Sequence, residues 1–246
     1  MKALSVLTLV GCVLAPLTSQ AVTLNDDFNL DMIVTATSDY RSRGISQSLG
    51  DPAAQFGATL THSSGLYVGA WTSSVDFGDD FKTRQELEYY AGYFWQATDT
   101  ISLDLGYITY DYPKEAQFNL SEVYAILDLY GVKLGTYYSS DTPNVFGEDQ
   151  DTFYAYLGYT LALPAEFGLD LRVGRNDVKD EVFVSPNGDS RSTYYEWEAK
   201  LTRDFLGVNW GLSYIDTNLK KSECANWYGF DDLCSATVVV SASKAF

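Results

Sequence analysis

The stretch Tyr195-Glu196-Trp197-Glu198-Ala199-Lys200-Leu201-Thr202 alternates strictly between apolar and polar side chains. A period of two places the aromatic and aliphatic residues on one face of a strand and Glu196, Glu198, Lys200 and Thr202 on the other. The same rhythm governs Gly168-Leu169-Asp170-Leu171-Arg172-Val173-Gly174 and Ile101-Ser102-Leu103-Asp104-Leu105-Gly106-Tyr107. From Phe28 onward no segment sustains the period of 3.6 that marks an amphipathic helix, which makes the class all-β.

Working outward from these segments, the turn signals divide the chain into strands near residues 28 to 38, 54 to 62, 66 to 77, 83 to 96, 100 to 112, 120 to 130, 132 to 142, 151 to 163, 168 to 179, 192 to 205, 208 to 218 and 235 to 246. Compact turns at Ser63-Ser64-Gly65, Ala97-Thr98-Asp99, Gly131, Ala165-Glu166-Phe167 and Leu206-Gly207 take turns with mostly longer, polar connections. An even strand count with short turns at one rim and longer loops at the other predicts a transmembrane antiparallel up-and-down β-barrel of about twelve strands. Most segments reach the roughly 9 to 11 residues that a tilted membrane strand needs. No composition break divides the chain, and residues 22–246 are expected to form the barrel.

The amino terminus predicts export. Met1-Lys2 is a short basic start, Ala3 to Leu17 is mostly apolar, and Ser19-Gln20-Ala21 has the small-x-small form of a cleavage site, so residues 1–21 read as a signal peptide. Leu9-Val10-Gly11-Cys12 also resembles a lipoprotein box, although the apolar run before Cys12 is only about eight residues, short for a signal core. The chain carries a formal net charge of -17, which disfavours nucleic acid as a partner because its phosphates would be repelled. Beyond the signal only Cys224 and Cys234 remain, and an even pair in an exported chain predicts a disulfide.

Alternation alone does not say which face meets lipid. Aromatic residues near strand ends, such as Tyr89, Tyr93 and Trp95, Phe153 and Tyr159, and Trp210 and Tyr214, suit the girdles of a membrane barrel. The polar face carries Glu86, Glu88, Asp104, Glu122, Asp128, Asp170, Glu196 and Glu198 against Arg84, Lys133, Arg172 and Lys200. These are the expected pore-lining residues, and their acidic excess would bias a water-filled lumen toward cations. Equally, charges of both signs would pair and plug the interior, as in small filled barrels. Gly57, Gly92, Gly106, Gly135, Gly158, Gly174 and Gly211 share that face, where tyrosines and charged side chains need room.

Several stretches resemble the TorF family of porin-like proteobacterial proteins, also called Gcw_chp. The resemblance is carried by Ser38-Asp39-Tyr40-Arg41-Ser42-Arg43-Gly44-Ile45-Ser46-Gln47-Ser48 with Pro52 and Gln55, and by Gly65-Leu66-Tyr67-Val68-Gly69-Ala70-Trp71-Thr72-Ser73-Ser74-Val75-Asp76-Phe77. It continues in Tyr214-Ile215-Asp216-Thr217-Asn218 and in the terminal Val238-Val239-Val240-Ser241-Ala242-Ser243-Lys244-Ala245-Phe246. What the resemblance implies is an outer-membrane barrel of porin type, with no particular solute; the charged strand face adds the expectation of a channel for small polar solutes or cations. Phe246, ending a strand with Ala242, Val240 and Val238 on its own face, resembles the signal read by barrel insertion machinery; Lys244 departs from the apolar pattern.

Arg41 and Arg43 in the first long loop are candidates for a constriction if that loop folds inward; otherwise they are salt-bridged structural residues beside Gly44. His62 and Ser64, two apart, have the spacing of a nucleophile pair, but they fall in a short turn at the periplasmic side, and no enzyme is expected. Trp227, Tyr228 and Phe230 in the cysteine-closed loop either bind a ligand or sugar chain or pack over the barrel mouth, with packing the favoured reading. Asp231-Asp232 and Glu148-Asp149-Gln150-Asp151 lack the spacing of a calcium loop, so neither a metal nor a cofactor is expected. The two readings of the amino terminus separate in one measurement: intact mass of the envelope-fraction protein is expected to place the mature start at Val22, not at an acylated Cys12.

Overall fold

The computed structural model describes residues 22–143 and 148–246; the signal-peptide and Cys12 lipidation readings lie outside the described residues. The described chain forms a closed barrel of twelve antiparallel strands. They are β1 Phe28–Thr37, β2 Ala53–His62, β3 Leu66–Ser74, β4 Gln85–Thr98, β5 Ile101–Asp111, β6 Leu120–Leu129, β7 Val132–Pro143, β8 Asp149–Leu163, β9 Phe167–Asp177, β10 Thr193–Phe205, β11 Val208–Thr217 and β12 Thr237–Ala245. Each strand pairs with its neighbour in sequence, and β12 closes on β1 through Ser241↔Thr37 to Ala245↔Ile33. Phe246 extends the closure, its N–H donating to the Met32 carbonyl at 2.9 Å.

The turns at one rim are tight. In Leu206-Gly207 both residues have positive φ, at 56° and 72°, the mirror-image turn whose twist matches two antiparallel strands. Both ends of the barrel, Phe28 and Phe246, lie at this rim, and the longer connections lie at the other.

Alternation resolves as a membrane barrel requires. Val34, Phe56, Val68, Leu105, Leu134, Leu157, Val173, Leu212 and Val240 face outward and are exposed, as are Tyr89, Tyr93, Trp95, Tyr159, Trp210 and Tyr214. Among the described residues no helix is long and apolar enough to cross a membrane, and it is the strands that carry the apolar outer face.

Inside, tyrosines pair with glycines. Tyr67 stands opposite Gly92, Tyr90 opposite Gly69 and Tyr124 opposite Gly106, while Tyr156 stands opposite both Gly135 and Gly174. A Cβ added at Gly69, Gly92, Gly106 or Gly135 would collide with the ring across from it, so these rings lie along the wall over a bare backbone. Tyr67, Tyr90, Ile108, Tyr124, Ile126, Tyr137 and Tyr154 form one buried cluster on this side of the lumen.

A second cluster sits at the long-loop rim. Ile45, Val178, Phe183, Tyr194, Leu219 and Leu233 pack around the Cys224–Cys234 disulfide, whose Cα atoms are 6.0 Å apart. The loop holding the cysteines contains a helix, α1 (Lys221–Tyr228), which the sequence pattern does not predict. It starts where the Lys220 N–H donates to Glu223 at 2.8 Å and stops at Gly229, where φ is 83°. Burial works to raise the Glu223 carboxyl, but hydrogen bonds from Arg191, the Lys220 N–H and Ser185 prevail and hold it below its ordinary value.

Because a depressed carboxyl stabilises only above its unfolded pKa, this part of the cap is fully held at neutral pH. It loosens as the pH falls below 4.5 and through the lowered value. Hydrogen exchange of α1 is expected to speed up below that pH while the strands stay protected. Replacing both cysteines by serine should destabilise the cap by about 3 kcal/mol, opening residues 219 to 236 to limited proteolysis without unfolding the barrel.

Candidate functional site: a hairpin inside the lumen

The connection between β1 and β2 turns back into the barrel. Arg41–Ser42 pairs with Ile45–Ser46, and the turn between them has positive φ at both Arg43 (49°) and Gly44 (83°). Asp39 organises the base of this hairpin, accepting from Arg41 Nε at 2.6 Å, Ser46 Oγ at 2.6 Å and Ser48 Oγ at 3.3 Å. Arg41 also donates to the carbonyls of Gly44 and Ser235, both at 3.0 Å, tying the hairpin to the loop before β12. A side chain at position 44 would meet Thr217 Cγ2 at 2.6 Å and Glu196 Cβ at 3.0 Å, so only glycine lets the tip press against the wall.

Arg43 reaches across the lumen. Its Nη2 donates to both oxygens of Glu122 at 2.7 Å, and its guanidinium lies over the rings of Tyr154 (4.6 Å) and Tyr137 (5.5 Å). Tyr110 adds a hydroxyl to Glu122 at 3.0 Å, and Tyr194 donates to the Arg43 carbonyl at 3.1 Å. On the facing side Tyr40 and Tyr112 each donate to Glu86 at 3.0 Å. A buried Arg and carboxylate joined in this way offset the desolvation of both charges, and the aromatic faces add cation–π attraction.

A second network lies beneath. Arg172 bridges Glu196 at 3.1 Å and Glu198 at 3.0 Å, and Tyr154 donates to the same Glu196 oxygen at 2.5 Å. Lys133 pairs with Asp128 at 3.0 Å, Thr160 donates to Asp170 at 2.7 Å, and Tyr67 donates to Asp104 at 2.6 Å while touching the Tyr124 hydroxyl. Lys200 lays its stem over Gly211 and makes no ion pair within 4 Å among the described residues.

Between these networks a cavity of about 180 Å³ remains. Glu88, Lys133, Arg172, Glu198 and Lys200 line it, with Arg41 and Arg43 from the hairpin. Glu86, Asp104, Glu122, Asp170 and Glu196 face inward but are buried beneath hydroxyl and guanidinium partners or packed side chains. Arg84 is a correction: it precedes β4, is half exposed outside the barrel, and donates to the carbonyls of Phe81 and Thr83. Sequence reasoning missed the opposite wall, where Thr35, Thr37, Gln55, Ser213, Ser241 and Ser243 present small uncharged polar groups. It also missed Asp39 and Tyr40, although both stand in the motif that carries Arg41 and Arg43.

The remaining candidates fall elsewhere. His62 and Ser64 hydrogen-bond at 2.8 Å in the exposed turn, where the Ser64 N–H also donates to the same ring nitrogen and Phe28 packs against the imidazole, a local staple of the turn. Trp227 and Tyr228 pack against the cap cluster, and Phe230 leans toward Gly78 across the mouth. Asp231 sits 3.8 Å from Lys221 in an exposed pair. Among the described residues no cluster of His, Cys, Asp or Glu is arranged to hold a metal ion.

The architecture defines a class: a closed twelve-stranded antiparallel β-barrel, the fold also seen in outer-membrane porins. It matches the NanC porin with a TM-score of 0.55, covering 87% of this chain and 98% of that one at 10% identity. The KdgM porin, solved alone and in complex with disordered oligogalacturonate, matches at 0.51, covering 88% and 98% at 8% identity. The chain belongs to the Gcw_chp family, described as a bacterial protein of unknown function, whose model matches residues 22–246. No curated protein matches it in sequence.

The hairpin geometry generates a direct test. Glu122→Gln leaves the Arg43 guanidinium without its buried counter-charge, a change that costs about 3 kcal/mol. Trypsin is expected to cut after Arg41 or Arg43 in that variant and to spare the wild type.

Proposed function

We propose that the protein is a channel of the bacterial outer membrane through which small polar solutes diffuse passively, without cofactor or covalent chemistry. The observation that carries this reading is the cavity held open inside a closed barrel, with one wall of charged side chains and the other of hydroxyl and amide groups set among Ile33, Ile215 and Val239. Water can enter such a space because charged, hydroxyl and amide groups alternate along it with the apolar Ile33, Ile126, Ile215 and Val239. The excess of acidic residues on the strands suggests cation preference. Yet five basic side chains and three acidic ones border the cavity, Asp39 among them, while most other carboxylates are buried behind partners. The two tendencies offset, and the passage discriminates by size and polarity more than by charge. A TorF-type porin role fits this reading, as does insertion through Phe246, which faces outward at the end of β12.

The hairpin favours a second reading, a non-conducting barrel that presents its loops, because Arg43 and Tyr40 narrow the lumen from both sides. Planar-bilayer recording of the refolded mature chain decides between them. Discrete conductance steps are expected, larger in Arg43→Ala, with Glu198→Gln shifting the reversal potential toward anions and Lys200→Gln toward cations. A folded barrel that stays silent in all three variants would leave the loop-presenting reading.

A further inference from the structure

Arg84, displaced from the lumen, lines a different feature. Where β2, β3 and β4 meet the long-loop rim, a cleft of about 430 Å³ opens on the outer surface. Its floor is made of the outward-facing Ala54, Thr72, Ser74 and Gln85, and its edges are Arg84 and Lys114. The floor is already fixed: Gln85 donates to Thr72 at 3.0 Å, and Ser74 accepts from the Ala54 N–H at 3.0 Å. One step further along the wall the apolar belt begins, with Phe56 opposite Thr72 in register and exposed. The cleft therefore lies at the level where the headgroups of the outer leaflet meet the barrel.

The charges at this cleft are partly uncommitted. Arg84 spends Nη1 on two carbonyls and on an open 3.6 Å approach to the half-exposed Asp76; its Nη2 and Nε have no hydrogen bond among the described residues. Lys114, on a strained turn with φ of 74°, is exposed and unpaired among the described residues. Apart from Asp76, the carboxylates Glu115 and Asp111 are engaged elsewhere. Glu115 accepts from the Lys82 N–H and Gln117, contacts that hold it below its ordinary value, and Asp111 accepts from Asn119. Thr72 spends its hydroxyl hydrogen on the Glu86 carbonyl, so the guanidinium, the ammonium and the Ser74 hydroxyl form the donor set, one that a phosphate monoester takes. Screening over about 8 Å at physiological salt separates this local positive site from the negative charge of the chain as a whole.

We propose that this cleft holds the phosphorylated headgroup of an outer-leaflet glycolipid, its acyl chains lying on the belt that starts at Phe56. The proposal rests on the outer-membrane reading above. Native mass spectrometry of the refolded mature chain tests it, with bisphosphorylated lipid A, dephosphorylated lipid A and inorganic phosphate as separate probes. Lipid A retention should be about tenfold weaker in the double variant Arg84→Gln, Lys114→Gln, dephosphorylated lipid A should bind the wild type no better than that, and inorganic phosphate should leave no adduct. Equal retention by wild type and variant overturns the proposal, as does equal retention of the dephosphorylated lipid; a phosphate adduct as strong as that of lipid A shows a free-anion site instead. The variant's folding is checked by its heat-dependent gel mobility. A chain that fails to enter bilayers ends both readings, whereas one that inserts and conducts but ignores lipid phosphate ends only this one.

Discussion

Pairing of β12 with β1 is the constraint on which the rest depends. In hydrocarbon an unpaired strand edge would leave a row of amide groups without partners, each costing several kcal/mol, so the sheet must close on itself. Closure at twelve strands then fixes which side chains look inward, and the interior must be satisfied by groups that the strands themselves supply. The Tyr-on-Gly pairs and the charge networks are two answers to that demand. A ring laid over a glycine occupies the wall instead of the centre, and buried carboxylates such as Asp104 and Glu196 are matched to hydroxyls or a guanidinium from strands one or two away.

The hairpin after β1 completes the interior. It brings the cation that Glu122 needs and the hydroxyl of Tyr40 that joins Tyr112 on Glu86. Strand carboxylates that look like an open acidic lumen in one dimension are therefore largely internal counter-charges. What remains accessible is a narrow, mixed-sign path beside a neutral hydroxyl wall.

The fold was legible because period-two alternation and turn spacing are local signals. β2 was expected at 54 to 62 and runs from Ala53 to His62. β3 was expected to continue to Phe77 but stops at Ser74, although Val75 just beyond it is still buried. The parity rule placed Arg84 with Glu86 and Glu88, yet it fails outside the ladder, and Thr83 fills the buried position next to it. The helix Lys221–Tyr228 carries no apolar period, because its stability comes from the disulfide and from Glu223 partners distant in sequence, Ser185 and Arg191. Arg41 and Arg43 could be picked out as polar residues beside a flexible glycine, but their partners on β6 and in the loop before β12 could not.

Those partners also set an order of assembly. The interior hairpin belongs to the first loop made, but Arg43 meets Glu122 across 79 positions, its carbonyl meets Tyr194 across 151, and Arg41 meets Ser235 across 194. Contacts so far apart in sequence form late, after the chain segments between them have found their places. The hairpin's full set of contacts is thus complete only once the last loop, with Ser235, is in place.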